Sequence, residues 1–248
     1  MYGIETRRSA LRLLDQGRSL NSVSRETGIS RAALRAWRER IEPLPGIRPE
    51  PCAPPADSAA YVYLLGLYLG DGCVSARRAG GHVLRIACAD AWPGLITLCE
   101  EAISTVRPNA SFSRVRKQGC VSVESYGRHW PCLFPQAGPG RKHERRIALE
   151  PWQRELVDAH PWELVRGLVH SDGCRTENRV VRETVAGERR AHVYPRYFFT
   201  NRSEDIRRLF TDTLDVLGVA WRRSNAANIS VARREAVALM DVHVGAKH

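Results

Sequence analysis

The sequence predicts an α+β protein built from two copies of one small subdomain, preceded by a small all-α unit. Three observations carry that reading. One nonapeptide frame occurs twice, as Leu64-Leu65-Gly66-Leu67-Tyr68-Leu69-Gly70-Asp71-Gly72 and as Val165-Arg166-Gly167-Leu168-Val169-His170-Ser171-Asp172-Gly173. The copies lie 101 residues apart, too far for a solenoid repeat and suited to a duplicated subdomain. After each copy the chain runs through the same succession of strand-like and helical stretches, and six prolines between Pro43 and Pro55 set residues 1–42 apart.

In chain order, Ala10, Leu11, Leu13 and Leu14 mark a first amphipathic helix that stops at Gly17. Ser19 or Asn21 can cap a second short helix bearing Val23, and Gly28 makes a turn. Ser30 then caps a third helix over Arg31–Ile41, with Leu34, Trp37 and Ile41 on its buried face and Arg31, Arg35 and Arg38 opposite. With nine Arg against four acids over residues 1–41, this unit suits DNA. Its stretch SLNSVSRETGISRAALRAW resembles the helix-turn-helix of transposases and small bacterial regulators. A helical hairpin with a solvated Arg face is the plainer alternative. The expected divisions are residues 1–42 as this unit, 43–56 as an extended linker, and 57–143 and 144–248 as the two subdomains.

Each nonapeptide reads as the end of a helix. Gly66 and Gly70, like Gly167 and Ser171, stand four residues apart and form a strip on which a second backbone can approach. A mid-helix Gly costs about 1 kcal/mol relative to Ala, so paired glycines call for a packing reason. Gly72 and Gly173 are expected to close the helices in the left-handed conformation. Asp71 and Asp172 then fall in the last turn, where the helix dipole disfavours a carboxylate. If the two helices pack together, the carboxylates meet at one end and need a cation or a shared proton, which points to a divalent metal site. Two ordinary Asp-Gly turns are the alternative.

Beyond the first motif, Cys73–Ser75 and Val83–Cys88 read as strands, and 93–106 as an apolar helix. Ser111–Arg116 and Cys120–Ser125 form a hairpin around Lys117-Gln118-Gly119, and a short helix near Trp130–Phe134 follows. The second half repeats the plan: a longer hairpin with its tip near Ala186-Gly187, strand Tyr194–Phe199, helix Ser203–Leu217, strands Val219–Arg223 and Asn228–Ala232, and helix Arg233–Met240.

The composition is that of a soluble globular protein with a net charge of +11, carried by 35 Arg and three Lys. That balance favours a nucleic-acid partner. Genome composition can account for Arg over Lys but not for the positive sign. Seven Cys, an odd number without a CxxC pair, together with the lack of a signal peptide or a long apolar run, lead to the expectation of free thiols in a reducing cytoplasm and no membrane contact. His129 and Cys132, with Cys120 upstream, lack a fourth ligand at zinc-finger spacing.

The two nonapeptides resemble the motifs of the LAGLIDADG homing endonucleases in their single-chain, two-motif form. Leu65, Gly66-Leu67, Gly70 and Asp71-Gly72 match in the first copy, and Gly167-Leu168, Ser171 and Asp172-Gly173 in the second, while Leu69 and His170 depart at the sixth position. The resemblance implies an αββαββα subdomain per motif, motif helices packed at a pseudo-twofold axis, and one acid from each helix binding Mg²⁺ for double-strand DNA cleavage. Lys142 and Lys247 fall at matching places, 71 and 75 residues after the motif acids, and each precedes a His. The family has a lysine after each subdomain's last helix that reaches the active site, a role carried onto these two.

Gln118 is a further candidate, for ordering water. For the DNA face the candidates are Arg77, Arg85, Arg114, Arg116 and Lys117 in the first half and Arg179, Arg196, Arg222 and Arg223 in the second, with Arg78, Arg175 and Arg182 in the same stretches. A solvated, Arg-rich outer face is the alternative. The expected protein is a monomeric, metal-dependent DNA endonuclease. The alternative is a non-cleaving transcriptional regulator of the kind found among actinobacterial sporulation proteins, which join a LAGLIDADG-like domain to a helix-turn-helix. An intein is not expected, since the ends lack splicing-type junctions, and a role as an intron maturase stays open.

Overall fold

The two motif copies end two helices that pack directly on each other. The computed structural model describes residues 2–42, 54–77, 80–183 and 189–248. The expected linker over Pro43–Pro55 lies largely outside these residues, as do Arg78 and the hairpin tip at Ala186-Gly187. The chain divides into two units, residues 1–51 and 52–248.

The first unit holds α1 (Ile4–Asp15), α2 (Leu20–Thr27) and α3 (Arg31–Glu39). The Ser19 hydroxyl accepts from the Ser22 amide at 3.2 Å and the Ser30 hydroxyl from the Ala33 amide at 3.2 Å, so both caps form where the sequence places them. Gly28 turns the chain between them at φ +69°. Ala10, Val23, Ile29, Leu34 and Trp37 form the core. Ile41 falls beyond the end of α3 instead of closing its apolar face, and its carbonyl accepts from Arg7 at 3.2 Å. Arg35 and Arg38 are exposed, while Arg31 donates to Asn21 at 3.0 Å.

In the second unit the order αββαββα occurs twice. The first copy is α4 (Ser58–Asp71), β1 (Gly72–Ala76), β2 (His82–Ala89), α5 (Pro93–Val106), β3 (Phe112–Lys117), β4 (Cys120–Gly127) and α6 (Trp130–Leu133). A short 3₁₀ turn, Lys142–Glu144, and a helix that the sequence reading did not foresee, α7 (Pro151–Ala159), lead into the second copy. That copy is α8 (Pro161–Asp172), β5 (Gly173–Glu183), β6 (Arg189–Thr200), α9 (Glu204–Val216), β7 (Arg222–Arg223), β8 (Asn228–Val231) and α10 (Arg234–His243). The two four-stranded antiparallel sheets have matching orders, β1-β2-β4-β3 and β5-β6-β8-β7. Matching details follow: the Asp90 amide after β2 donates to the Gly119 carbonyl, and the Asn201 amide after β6 to the Ala227 carbonyl. One apolar cluster runs through both copies, from Tyr61 on α4 to Val244.

The small-residue strip has the packing reason expected of it. A Cβ added at Gly66 would lie 2.8 Å from the Gly167 Cα, and one at Gly70 would lie 2.1 Å from the Ser171 hydroxyl oxygen. Gly72 and Gly173 correct an expectation. Their φ values are −97° and −110°, extended rather than left-handed, so each helix passes straight into its strand. Glycine is required there by crowding: a Cβ at Gly72 would meet the Tyr68 Cα at 2.5 Å, and one at Gly173 the Val169 Cα at 2.8 Å. The expectation of free thiols is likewise corrected at Cys132, which is disulfide-bonded, whereas Cys73, Cys88, Cys99, Cys120 and Cys174 are free. Sequence spacing does not tell which thiols meet. Among the described residues no helix is long and apolar enough to cross a membrane.

Candidate active site

Because α4 and α8 pack through small residues, their C-terminal ends converge, and Asp71 and Asp172 end them. A Cβ at Gly70 of one helix would stand 3.1 Å from the Asp172 carboxyl carbon of the other. Burial, then the neighbouring Asp71 carboxylate, push the Asp172 carboxyl up to about 6 from its ordinary 3.8. Asp71 is also raised, chiefly by desolvation, and Lys142 and Lys247 oppose the rise.

The two lysines sit where the helix dipoles are negative. Lys142 Nζ donates to the carbonyls of Tyr68, Leu69 and Gly70 at the end of α4, the latter two at 2.8 and 2.9 Å. Lys247 Nζ donates to the Ser171 carbonyl near the end of α8 at 2.9 Å. The Tyr68 carbonyl also accepts from the Gly72 amide, whereas the last carbonyls of a helix lack an intrahelical donor, so each ammonium serves its helix end and offsets the macrodipole. Burial lowers the Lys142 ammonium to about 8 although Asp172 and Asp71 both pull it upward. At neutral pH it stays protonated for the most part.

A cleft of about 540 Å³ opens beside this pair, lined by Tyr68, Lys142, His143, Arg145, Asp172 and Asn201 among others. Asn201 is the residue that the sequence reading missed. Its Nδ2 donates to Asp172 Oδ2 at 2.5 Å, and its own Oδ1 accepts from the Ser203 amide at 2.7 Å, which holds the side chain in place. Extending the repeat beyond the motif would have singled it out, since Asn201 follows β6 as Asp90 follows β2. Gln118 stands exposed at the tip between β3 and β4 and is not among the residues lining the cleft.

No metal cluster of three or more His, Cys, Asp or Glu exists among the described residues. Two carboxylates at this end, Asp172 among the residues that line the cleft, are nevertheless a donor set that suits Mg²⁺, which keeps several waters and takes one or two protein carboxylates.

The strand register sorts the basic candidates by face, because directly opposed residues on neighbouring strands share a side. Arg85 pairs with Cys73 and Glu124, and Lys117 with Cys120, on the side away from the helices. Arg77 joins them, its guanidinium 4.5 Å from the Tyr126 ring centroid. In the second sheet Arg196 and Arg222 lie on the corresponding open face, opposite the buried Tyr197, Phe199, Ile229 and Val231.

Arg114, Arg116, Arg179 and Arg223 correct the expectation of one shared face. Arg114 and Arg116 oppose Val123 and Val121 on the helix side, where Arg114 grips Glu100 of α5 at 2.5 and 2.7 Å. Arg223 opposes buried Ile229 and donates to Glu204 of α9 at 2.8 Å. Arg179 opposes Val193, on the side of Tyr197, and Arg175 of the same face is held by Asp241 at 2.7 Å. Nothing is described of the Arg182 side chain. A basic residue in a strand therefore reaches one side or the other by its parity alone.

Two motif helices joined by a glycine strip, each delivering an aspartate to a common end above a pair of four-stranded antiparallel sheets, make this a LAGLIDADG-type fold in the single-chain form. No protein-family model matches the chain, and no curated protein matches it in sequence. Among solved structures it is similar to the LAGLIDADG meganuclease I-AabMI bound to uncleaved DNA, with 12% identity and a TM-score of 0.46, covering 74% of this chain and 83% of that one. The homing endonuclease I-DmoI in complex with DNA and Mn gives 12% identity and a TM-score of 0.46, covering 77% and 98%. The N-terminal LAGLIDADG domain of DUF199/WhiA gives 8% identity and a TM-score of 0.45, covering 77% and 83%. The fold assignment rests on the elements, pairings and helix packing of this chain.

Proposed function

We propose that the protein is a site-specific, Mg²⁺-dependent double-strand DNA endonuclease of homing-endonuclease type. The observation that carries this reading is the meeting of Asp71 and Asp172 at one end of the paired helices, with a lysine seated on each helix end. Asp71 and Asp172 would hold Mg²⁺, which when bound neutralises charge at the scissile phosphate and makes a water more acidic. Asn201 fixes the Asp172 carboxylate. Lys142 and Lys247 set positive charge beside the phosphate while their donors remain tied to the helix carbonyls.

Residues 1–42 are read as a separate DNA-binding unit, with Arg35 and Arg38 exposed on α3. Residues 57–143 and 144–248 are read as subdomains of a monomer that binds a loosely palindromic site. A second reading, DNA binding without cutting, is favoured by one observation. Lys142 and Lys247 offset part of the charge of both carboxylates in the protein alone, so the helix pair can hold without chemistry. Incubating the protein with a randomised duplex library, with and without Mg²⁺, decides between the two. Cut ends that require the metal are expected, and recovery of bound but intact sites alone establishes the second reading.

The face assignment makes a separate prediction. Arg77→Ala and Lys117→Ala are expected to weaken duplex binding and lower the salt slope by about one each, provided each side chain meets a phosphate. Arg114→Ala and Arg223→Ala are expected to leave that slope unchanged. Equal losses from both pairs, measured by titration from low to high salt, would show that the sheet faces do not divide the work.

A further inference from the structure

A second cavity, of about 530 Å³, lies away from the aspartate pair on the open side of the β5-β6-β8-β7 sheet. Tyr194, Arg196, Trp221, Arg222, Ser230 and Arg233 line it, and among the described residues no acidic side chain does. Arg196 is its unusual member. Only 8% exposed, its guanidinium lies between the Tyr194 and Phe198 rings, at 5.6 and 5.1 Å from their centroids. Among the described residues its Nε has no hydrogen-bond partner, and neither does the hydroxyl of Ser230, which is 1% exposed.

A buried guanidinium without a carboxylate is costly, and ring faces offset only part of that cost. An anion is what this cavity lacks, and Arg222 and Arg233 add further positive charge at its rim. A phosphate alone would leave most of the volume unfilled. Trp221, fixed by its indole N–H to Asp215 at 2.7 Å, supplies an aromatic surface for a flat ring.

We propose that this cavity binds one nucleotide, its phosphate among the guanidinium groups of Arg196, Arg222 and Arg233 and its base against Trp221. The ligand is either a free mononucleotide or one nucleotide swung out of a bound strand; the latter source rests on the DNA-binding reading. Arg196 in this account is a binding residue held ready by two aromatic rings, at the expense of an unpaired charge when the cavity is empty.

Calorimetric titration of the full chain with deoxyguanosine 5′-monophosphate, deoxyguanosine and inorganic phosphate tests the chemistry. The nucleotide is expected to bind at least about tenfold more tightly than either half. Arg196→Met is expected to remove that binding without lowering the melting temperature of the ligand-free protein, since it deletes an unpaired buried charge. Trp221→Leu is expected to weaken the nucleotide but not phosphate. Nucleotide binding no tighter than phosphate, or unchanged in Arg196→Met, overturns the proposal, and Arg222→Ala, an exposed position, repeats the test should Arg196→Met fail to fold. A fully paired duplex and the same duplex with one unpaired deoxyguanosine then separate the sources. Preference for the unpaired duplex that is lost in Arg196→Met assigns a strand nucleotide, and nucleotide binding without that preference assigns the free one. Failure of the wild type to bind any duplex sinks the DNA-binding reading itself, whatever the mononucleotide does.

Discussion

Asp172→Asn is expected to reduce DNA cleavage by at least about 10²-fold while leaving duplex binding largely intact. The carboxylate is one of two that converge at the helix ends, and its held orientation depends on the hydrogen bond from Asn201. The same substitution is expected to raise the melting temperature of the metal-free protein at pH 7. Burial and the Asp71 charge lift the folded-state value to about 6, above the ordinary 3.8. A carboxyl raised in this way favours folding when protonated, and that advantage disappears as pH rises through about 6. Asn cannot ionise, so the stability gained over wild type should be small below about pH 4, grow between 4 and 6, and level off above. Thermal melts across that range without divalent ions check it. Wild-type cutting by the variant would take this carboxylate out of the chemistry, and a melting temperature below wild type at pH 7 would make it structural.

Gly167→Ala is expected to cost the fold about 3 kcal/mol, seen as a lower urea midpoint. The added Cβ would stand 2.3 Å from the Tyr63 carbonyl oxygen and 2.9 Å from the Gly66 Cα. Both contacts are with backbone, which cannot move aside without separating α4 from α8. That separation would also part the two aspartates, so cleavage should fall in whatever fraction stays folded. A midpoint within experimental error of wild type would show that the helices slide past one another at little cost, and the strip would then not explain the glycines.

The motif helices, their small-residue contact and the two aspartates were legible because a repeat within one chain supplies its own control. A feature such as Asp71 that recurs as Asp172 in a matching frame is separated from coincidence without further information. The lysines were legible by the same logic, although their service to the carbonyls of Tyr68, Leu69, Gly70 and Ser171 was not. Helix periodicity and capping residues located α1, α2, α5 and α9 because those signals act within a few residues of the chain.

Tertiary structure alone decided what depends on pairing between distant segments. Whether Arg85 or Arg114 faces outward is set by strand register, and one residue of slip exchanges the two faces. Gly72 and Gly173 look like left-handed caps in sequence, yet their extended backbone and the crowding by Tyr68 and Val169 exist only once strand follows helix in place. Asn201 became part of the site because β6 carries it back to the end of α8, and the Arg196 guanidinium came to lie between two rings with its Nε unpaired among the described residues. Local sequence determined which elements form and which residues could do chemistry; the pairing of distant strands and helices, which no local signal encodes, determined which of them meet.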